Sequence, residues 1–260
     1  MMRWVFELGD HVILIIRAWG AWACFMFDML HRSVFKPYDV LSIIRQVYTL
    51  GVCAVPVILF SAAFIGMVLV LQGFYTLEKF GAQAQLSQLL ALSVFRELGP
   101  VMTALLYTGR SCSALAAEIG LMQVTEQIPA MEVMAIEPMH RIIYPRYLAG
   151  VIVVPCLTMI FNTVALWGGY LIAVLWLNLD AGVFWSNMQS AVHFHSDVLN
   201  GMIKSVIFAL LIHGIALWKG YEATPTTGGV SRATTHTVVI ASLGVLLLDV
   251  LLTALMLGRS

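Results

Sequence analysis

The chain has 260 residues, 60% of them hydrophobic and 11% charged, and its 14 basic and 14 acidic side chains cancel to a formal charge of zero. A soluble domain is about half apolar and about a quarter charged, and a globule of this length exposes too much surface to hide the excess. A soluble enzyme and a disordered chain are excluded, no global field attracts nucleic acid, and the solvent that fits is a bilayer.

The first predicted element is a helix within residues 1–35. Its stretch 12–27 is apolar enough to suggest a span or a signal peptide, but acids precede it and no small-residue cleavage site follows. At about 100° per residue, Arg3, Glu7, Asp10, His11, Arg17, Asp28 and Arg32 fall within an arc of roughly 120°. Trp4, Trp19 and Trp22 add interfacial aromatics. A single charged stripe with aromatic anchors describes an amphipathic helix lying in the membrane surface rather than crossing it.

Five spans follow, at 51–73, 89–117, 148–176, 198–218 and 237–257, each near the roughly 20 apolar residues that a crossing helix needs. The chain is therefore expected to be an all-α integral membrane protein forming a single membrane domain. Small residues four apart, at Ala62/Gly66, Gly109/Ser113/Ala117 and Ala165/Gly169/Ala173, offer flat faces for close helix approach. Arg32, Lys36, Arg45, Arg141, Arg146, Lys219 and Arg232 fall on one set of loops, and only Lys79 and Arg259 on the other. Such asymmetry puts the N-terminus in the cytoplasm and the C-terminus outside.

Ionisable groups inside the hydrocarbon are costly unless paired or hydrated, so they mark candidate sites. Arg96, Glu97, Lys204 and Asp249 each lie about seven or eight residues from the outer end of their helix, roughly 10–12 Å deep at about 1.5 Å per residue. Two accounts fit. They form structural ion pairs between helices, or they line a polar spot in an outward-opening cavity where Arg96 or Lys204 meets a phosphate and apolar walls hold acyl chains. Pro100 after Gly99 is expected to interrupt regular hydrogen bonding within the second span beside them, which fits either a lined cavity or a simple kink.

Between the second and third spans, the loop 118–138 carries a short amphipathic helix. Thr125 is expected to cap it and Pro138 to stop it near Ile136. Ile128, Met131 and Ala135 share a face with Met134 beside them, while Glu126, Glu132 and Glu137 supply acids. This helix packs on its own membrane domain or enters the groove of a soluble partner.

Other chemistries find little support. Cys24, Cys53, Cys112 and Cys156 stand singly and read as buried small hydrophobes. His193 and His195 flank Phe194 without further ligands at metal spacing, so no metal site is expected. The pattern G-x-x-x-x-G-K-[ST] is absent, as is G-x-S-x-G. Any nucleotide-driven step requires another chain.

The runs RELGPVMTALLYTGR at 96–110 and AAEIGLMQVTEQIPAMEVMAIEP at 116–138, then PR at 145–146, closely resemble the MlaE family, the permease subunits of phospholipid-transporting ABC systems. GMVLVLQG at 66–73, IKSV at 203–206 and SRATT at 231–235 extend the likeness over nearly the whole chain. Glu137 stands where family members often carry Asp, keeping the charge.

The resemblance implies a homodimeric, non-catalytic permease of the bacterial inner membrane that moves glycerophospholipids to or from periplasmic carriers and maintains outer-membrane asymmetry. It implies a cytoplasmic MlaF-like ATPase docked on the 118–138 loop, with ATP and magnesium bound there and no cofactor in this chain. A MlaB-like STAS protein and a periplasmic MlaD-like MCE ring complete the expected assembly. Matching positions put Arg96, Glu97 and Lys204 near the lipid head group, and Leu69, Leu77 and Phe80 along the acyl chains. Rival readings are an ATP-independent scramblase, and an ion-coupled transporter using Glu97 and Asp249 as proton carriers.

Overall fold

The computed structural model describes residues 17, 19–31 and 40–257. Arg3, Trp4, Glu7, Asp10, His11, Arg32, Lys36 and Arg259 lie outside the described residues. Every regular element among those described is helical. Five helical stretches are long and apolar enough to cross a membrane: Val55–Glu78, Gln83–Val124, Met139–Trp176, Phe194–Tyr221 and Thr227–Met256.

The elements are α1 (19–31), α2 (Val40–Val52), α3 (Val55–Glu78), α4 (Leu86–Ser93), α5 (Gly99–Tyr107) and α6 (Ser113–Val124). There follow α7 (Gln127–Val133), α8 (Tyr144–Leu171), α9 (Ala181–Ala191), α10 (Leu199–Tyr221) and α11 (Thr227–Leu257). The first crossing helix starts at Val55 rather than 51, because α2 stops at Val52 and Pro56 sits in the opening turn of α3, where a missing N–H costs nothing. The last begins at Thr227 rather than 237. Its polar first turns stay helical because Thr234 and Thr235 hydroxyls donate to the Ser231 carbonyl, and Thr237 to that of Ala233.

Pro100 interrupts the regular hydrogen bonding of the second span without ending the helix. The residues just before it, Val94–Leu98, form a π-turn in which the Gly99 N–H reaches the Val94 carbonyl. Proline has no N–H and its ring crowds the carbonyl four residues back, so widening that turn relieves both problems while the helix continues. The same device precedes Pro145, where Met139–Ile143 is a π-turn leading into α8. A third π-turn, Thr108–Cys112, joins α5 to α6.

Close packing uses two of the three small-residue faces. A Cβ on Gly66 would overlap the Ala165 carbonyl, and Ala62 and Ala165 are fully buried, so α3 and α8 touch backbone to backbone. The Gly109 face is different: among the described residues, Gly109 has open space beside it.

Helix α10 is central, lying against α5, α6, α8 and α11. His213, fully buried on it, has Nδ1 2.9 Å from the Ala209 carbonyl and Nε2 3.2 Å from the Tyr107 hydroxyl. A carbonyl only accepts, so Nδ1 carries the proton and Nε2 of the neutral ring accepts from Tyr107. Helix α1 lays Phe25 and Met29 into the core, with Trp22 and Met26 beside Gly214 of α10. Of the four cysteines only Cys112 is buried; Cys24, Cys53 and Cys156 are exposed, since an apolar outer face is as acceptable as a core when the surroundings are lipid.

Candidate functional site

The charges converge where the π-turn of the second span meets the start of α10. A Cβ on Gly201 would overlap the Phe95 carbonyl, so only glycine lets α10 approach that turn closely. Around the contact, Arg96, Glu97, Ser196, Asn200, Lys204, Thr253 and Met256 line a cavity of about 110 Å³. At roughly 10–15 Å³ of such space per water, that is room for several waters or a polar group.

Each cation has a carboxylate. Arg96 directs Nη2 at 2.6 Å and Nε at 2.7 Å to Asp197 Oδ1. Asp197 is 1% exposed and also accepts from the His193 N–H at 2.7 Å and the Ser196 hydroxyl at 3.2 Å. Lys204, 3% exposed, places Nζ 3.3 Å from Asp249 Oδ1 and 2.7 Å from the Thr253 hydroxyl. Asp197 and Asp249 do not line the cavity but neutralise the cations that do. Among the described residues, the Glu97 carboxylate makes no ion pair or hydrogen bond. The site therefore presents two cations held in place by acids outside the lining, with one acid left over. Donors at Arg96 and Lys204 suit a phosphate oxygen, and Glu97 suits an ammonium group.

Of the residues singled out from sequence, Arg96, Glu97 and Lys204 come together, with Asp249 bound to Lys204. Among the described residues, Lys204–Asp249 is the one ion pair formed between these four; Arg96 pairs instead with Asp197, and pairing and cavity lining coexist. Leu69, Leu77 and Phe80 are not at this cavity. Helix α3 packs on α8, away from the α10–α11 side; Leu69 and Leu77 are half-buried against the core and Phe80 is exposed. Asp197, Ser196, Asn200 and Thr253 were not anticipated. An acid at the mouth of the fourth span, level with Arg96, is the signal that could have identified Asp197.

The loop 118–138 also differs in detail. Helix α6 runs on to Val124, and the Thr125 hydroxyl donates back to the Leu121 carbonyl at 2.9 Å instead of capping the next helix. Glu126 takes a left-handed φ of 55° and α7 starts after it. The helix ends at Val133 because Ala135, at φ 58°, turns the chain before Ile136 and Pro138 are reached. Ile128 is buried and Met131 packs on the core, while Val133, Met134 and Ile136 are exposed and Ala135 leaves the shared face. Glu118 holds Arg146 at 2.6 Å, tying α6 to the start of α8. Glu126, Glu132 and Glu137 lie on the exposed side.

The family profile described as Permease MlaE matches residues 43–255. The chain is 48% identical over 260 residues to the intermembrane phospholipid transport system permease protein MlaE of Haemophilus influenzae, covering 99% of each. A probable ABC transporter permease of Rickettsia typhi is 34% identical over 250 residues, 96% of each chain. The chloroplastic protein trigalactosyldiacylglycerol 1 of Arabidopsis thaliana is 31% identical over 206 residues, which span 79% of this chain and 57% of that protein.

Proposed function

The chain belongs to the MlaE permease family, and on that premise we propose that it is the membrane permease subunit of an ABC-type system that moves glycerophospholipids between the inner membrane and periplasmic carriers. It is the non-catalytic, multi-pass part of that system. The observation that carries the reading is the convergence of Arg96, Glu97 and Lys204 on one cavity within a bundle of apolar helices. Arg96 and Lys204 bind the phosphate and Glu97 the remainder of the head group. The acyl chains lie outside the cavity, along apolar surface that includes Leu69, Leu77 and Phe80. A second copy of the chain completes the enclosure.

The chain sits with its N-terminus in the cytoplasm and its C-terminus in the periplasm, in accord with the distribution of Lys and Arg. The α7 end then faces the cytoplasm, where Val133, Met134 and Ile136 are exposed apolar side chains. A MlaF-like ATPase docks there and binds ATP and magnesium, a MlaB-like STAS protein accompanies it, and a MlaD-like MCE ring sits on the periplasmic face. Moving lipid in this way maintains outer-membrane asymmetry.

The test is lipid transfer by the purified complex in proteoliposomes, with ATP present or absent. Transfer that needs ATP, and that Lys204→Ala abolishes while the complex stays assembled, supports the reading. Transfer of equal rate without any ATPase would favour a scramblase, and transfer driven by a proton gradient would favour an ion-coupled transporter.

A further inference from the structure

Helix α10 carries Lys204 near one end and terminates at Tyr221 at the other. The intervening residues contain no proline, and at about 1.5 Å per residue they form a rod of roughly 26 Å. Most of its length is buried between other helices, so α10 moves as a unit or not at all.

Contacts from α7, α6 and α1 meet at Tyr221. Its hydroxyl donates to Glu132 Oε1 of α7 at 3.2 Å. Its carbonyl, one of those a helix end leaves without an internal partner, accepts from the Gln123 side-chain amide at the end of α6, at 3.0 Å. Its ring lies against Phe25 of α1, with centroids 5.7 Å apart. One residue thus joins the exposed short helix and the N-terminal helix to the rod that carries the cavity's lysine. Among the described residues, Glu132 is the α7 residue whose side chain hydrogen-bonds to α10.

We infer that Tyr221 is a positioning residue for transport: its hydroxyl bond to Glu132 couples displacement of α7 to α10, and so to Lys204 at the lipid site. The inference rests on α7 being the ATPase docking helix. When a bound ATPase shifts α7, the bond pulls the α10 end, and the rigid helix shifts Lys204 relative to Arg96. Without the bond α7 moves over α10, and hydrolysis proceeds without a matching displacement at the cavity.

The test uses the whole complex in proteoliposomes of phosphatidylethanolamine and phosphatidylglycerol, reading labelled phosphatidylethanolamine moved per ATP hydrolysed. Tyr221→Phe keeps the ring on Phe25 and removes only the hydroxyl. It is expected to retain the ATPase and its hydrolysis rate while lipid moved per ATP falls about three- to tenfold, the range a single net hydrogen bond commands. Glu132→Gln keeps an acceptor oxygen and is expected to stay near wild type. Glu132→Ala is expected to match Tyr221→Phe, and the double variant to be no worse than either. If Tyr221→Phe does not accumulate, Glu132→Ala, on an exposed position, removes the same bond. A wild-type ratio of lipid to ATP in Tyr221→Phe or in Glu132→Ala, with ATPase bound, overturns this inference alone. A wild-type chain that brings down no ATPase overturns the docking reading and this inference with it.

Discussion

The Arg96 guanidinium reaches across 101 positions of sequence to Asp197, two of its nitrogens meeting the same carboxylate oxygen. Arg96 is 47% exposed at the cavity while Asp197 is 1% exposed. The acid is therefore the fixed member and the cation the one available to a ligand. The His193 N–H and the Ser196 hydroxyl fix Asp197 in turn.

Asp197→Ala is expected to leave Arg96 without its anchor and the His193 N–H without an acceptor. Losing hydrogen bonds to a buried charged group costs about 1.5–3 kcal/mol each. The thermal midpoint of the purified protein should fall, and phospholipid binding should weaken more than in Asp197→Glu. Equal binding in the two variants would show that Arg96 needs no anchor.

Asp249→Ala strands a lysine that is 3% exposed. Removing one partner of a buried pair costs about 3–5 kcal/mol, and here the Thr253 hydroxyl offsets part of it. Lys204→Met combined with Asp249→Leu is expected to recover stability, because an apolar pair of similar volume needs no compensation. The same double variant should not transport lipid. Denaturation and transport measured side by side separate the structural role of the pair from its role at the cavity.

Glu97→Gln is expected to leave stability within about 0.5 kcal/mol, as is usual for an exposed position, here with no partner among the described residues. Its effect should appear in selectivity. With the unpaired carboxylate gone, ethanolamine lipid should lose its advantage over glycerol lipid in a competition assay. An unchanged preference would remove Glu97 from head-group recognition.

Gly66→Ala puts a methyl group into the Ala165 carbonyl, and backbone on both sides leaves it no room to yield. Overpacking of this kind costs about 1–3 kcal/mol. Gly109→Ala, with open space beside it, should cost nothing in the monomer. A large loss on Gly109→Ala, visible only in the assembled complex, would identify that face as one where another chain packs.

The amino-acid sequence by itself determined the solvent, the helical class and the identity of the intramembrane charges, because each follows from composition or from a period along one helix. Arg96, Glu97, Lys204 and Asp249 are conspicuous as charges among apolar neighbours, and Ala62/Gly66 as a face four residues apart. Tertiary structure alone decided who pairs with whom. Asp197 rather than Glu97 takes Arg96, since the choice depends on how closely α10 approaches the π-turn, a distance set by Gly201. Thr125 fails as a cap because α6 continues past the point where local signals would end it, and α7 stops at Val133 ahead of a left-handed Ala135 that no local rule favours. Leu69, Leu77 and Phe80 sit apart from the charged cavity because α3 is committed to α8 through backbone contact. The physical reason is common to all of these. Periodicity and propensity act within a turn or two of helix, whereas a partner chosen from another helix depends on the packing of every side chain between them.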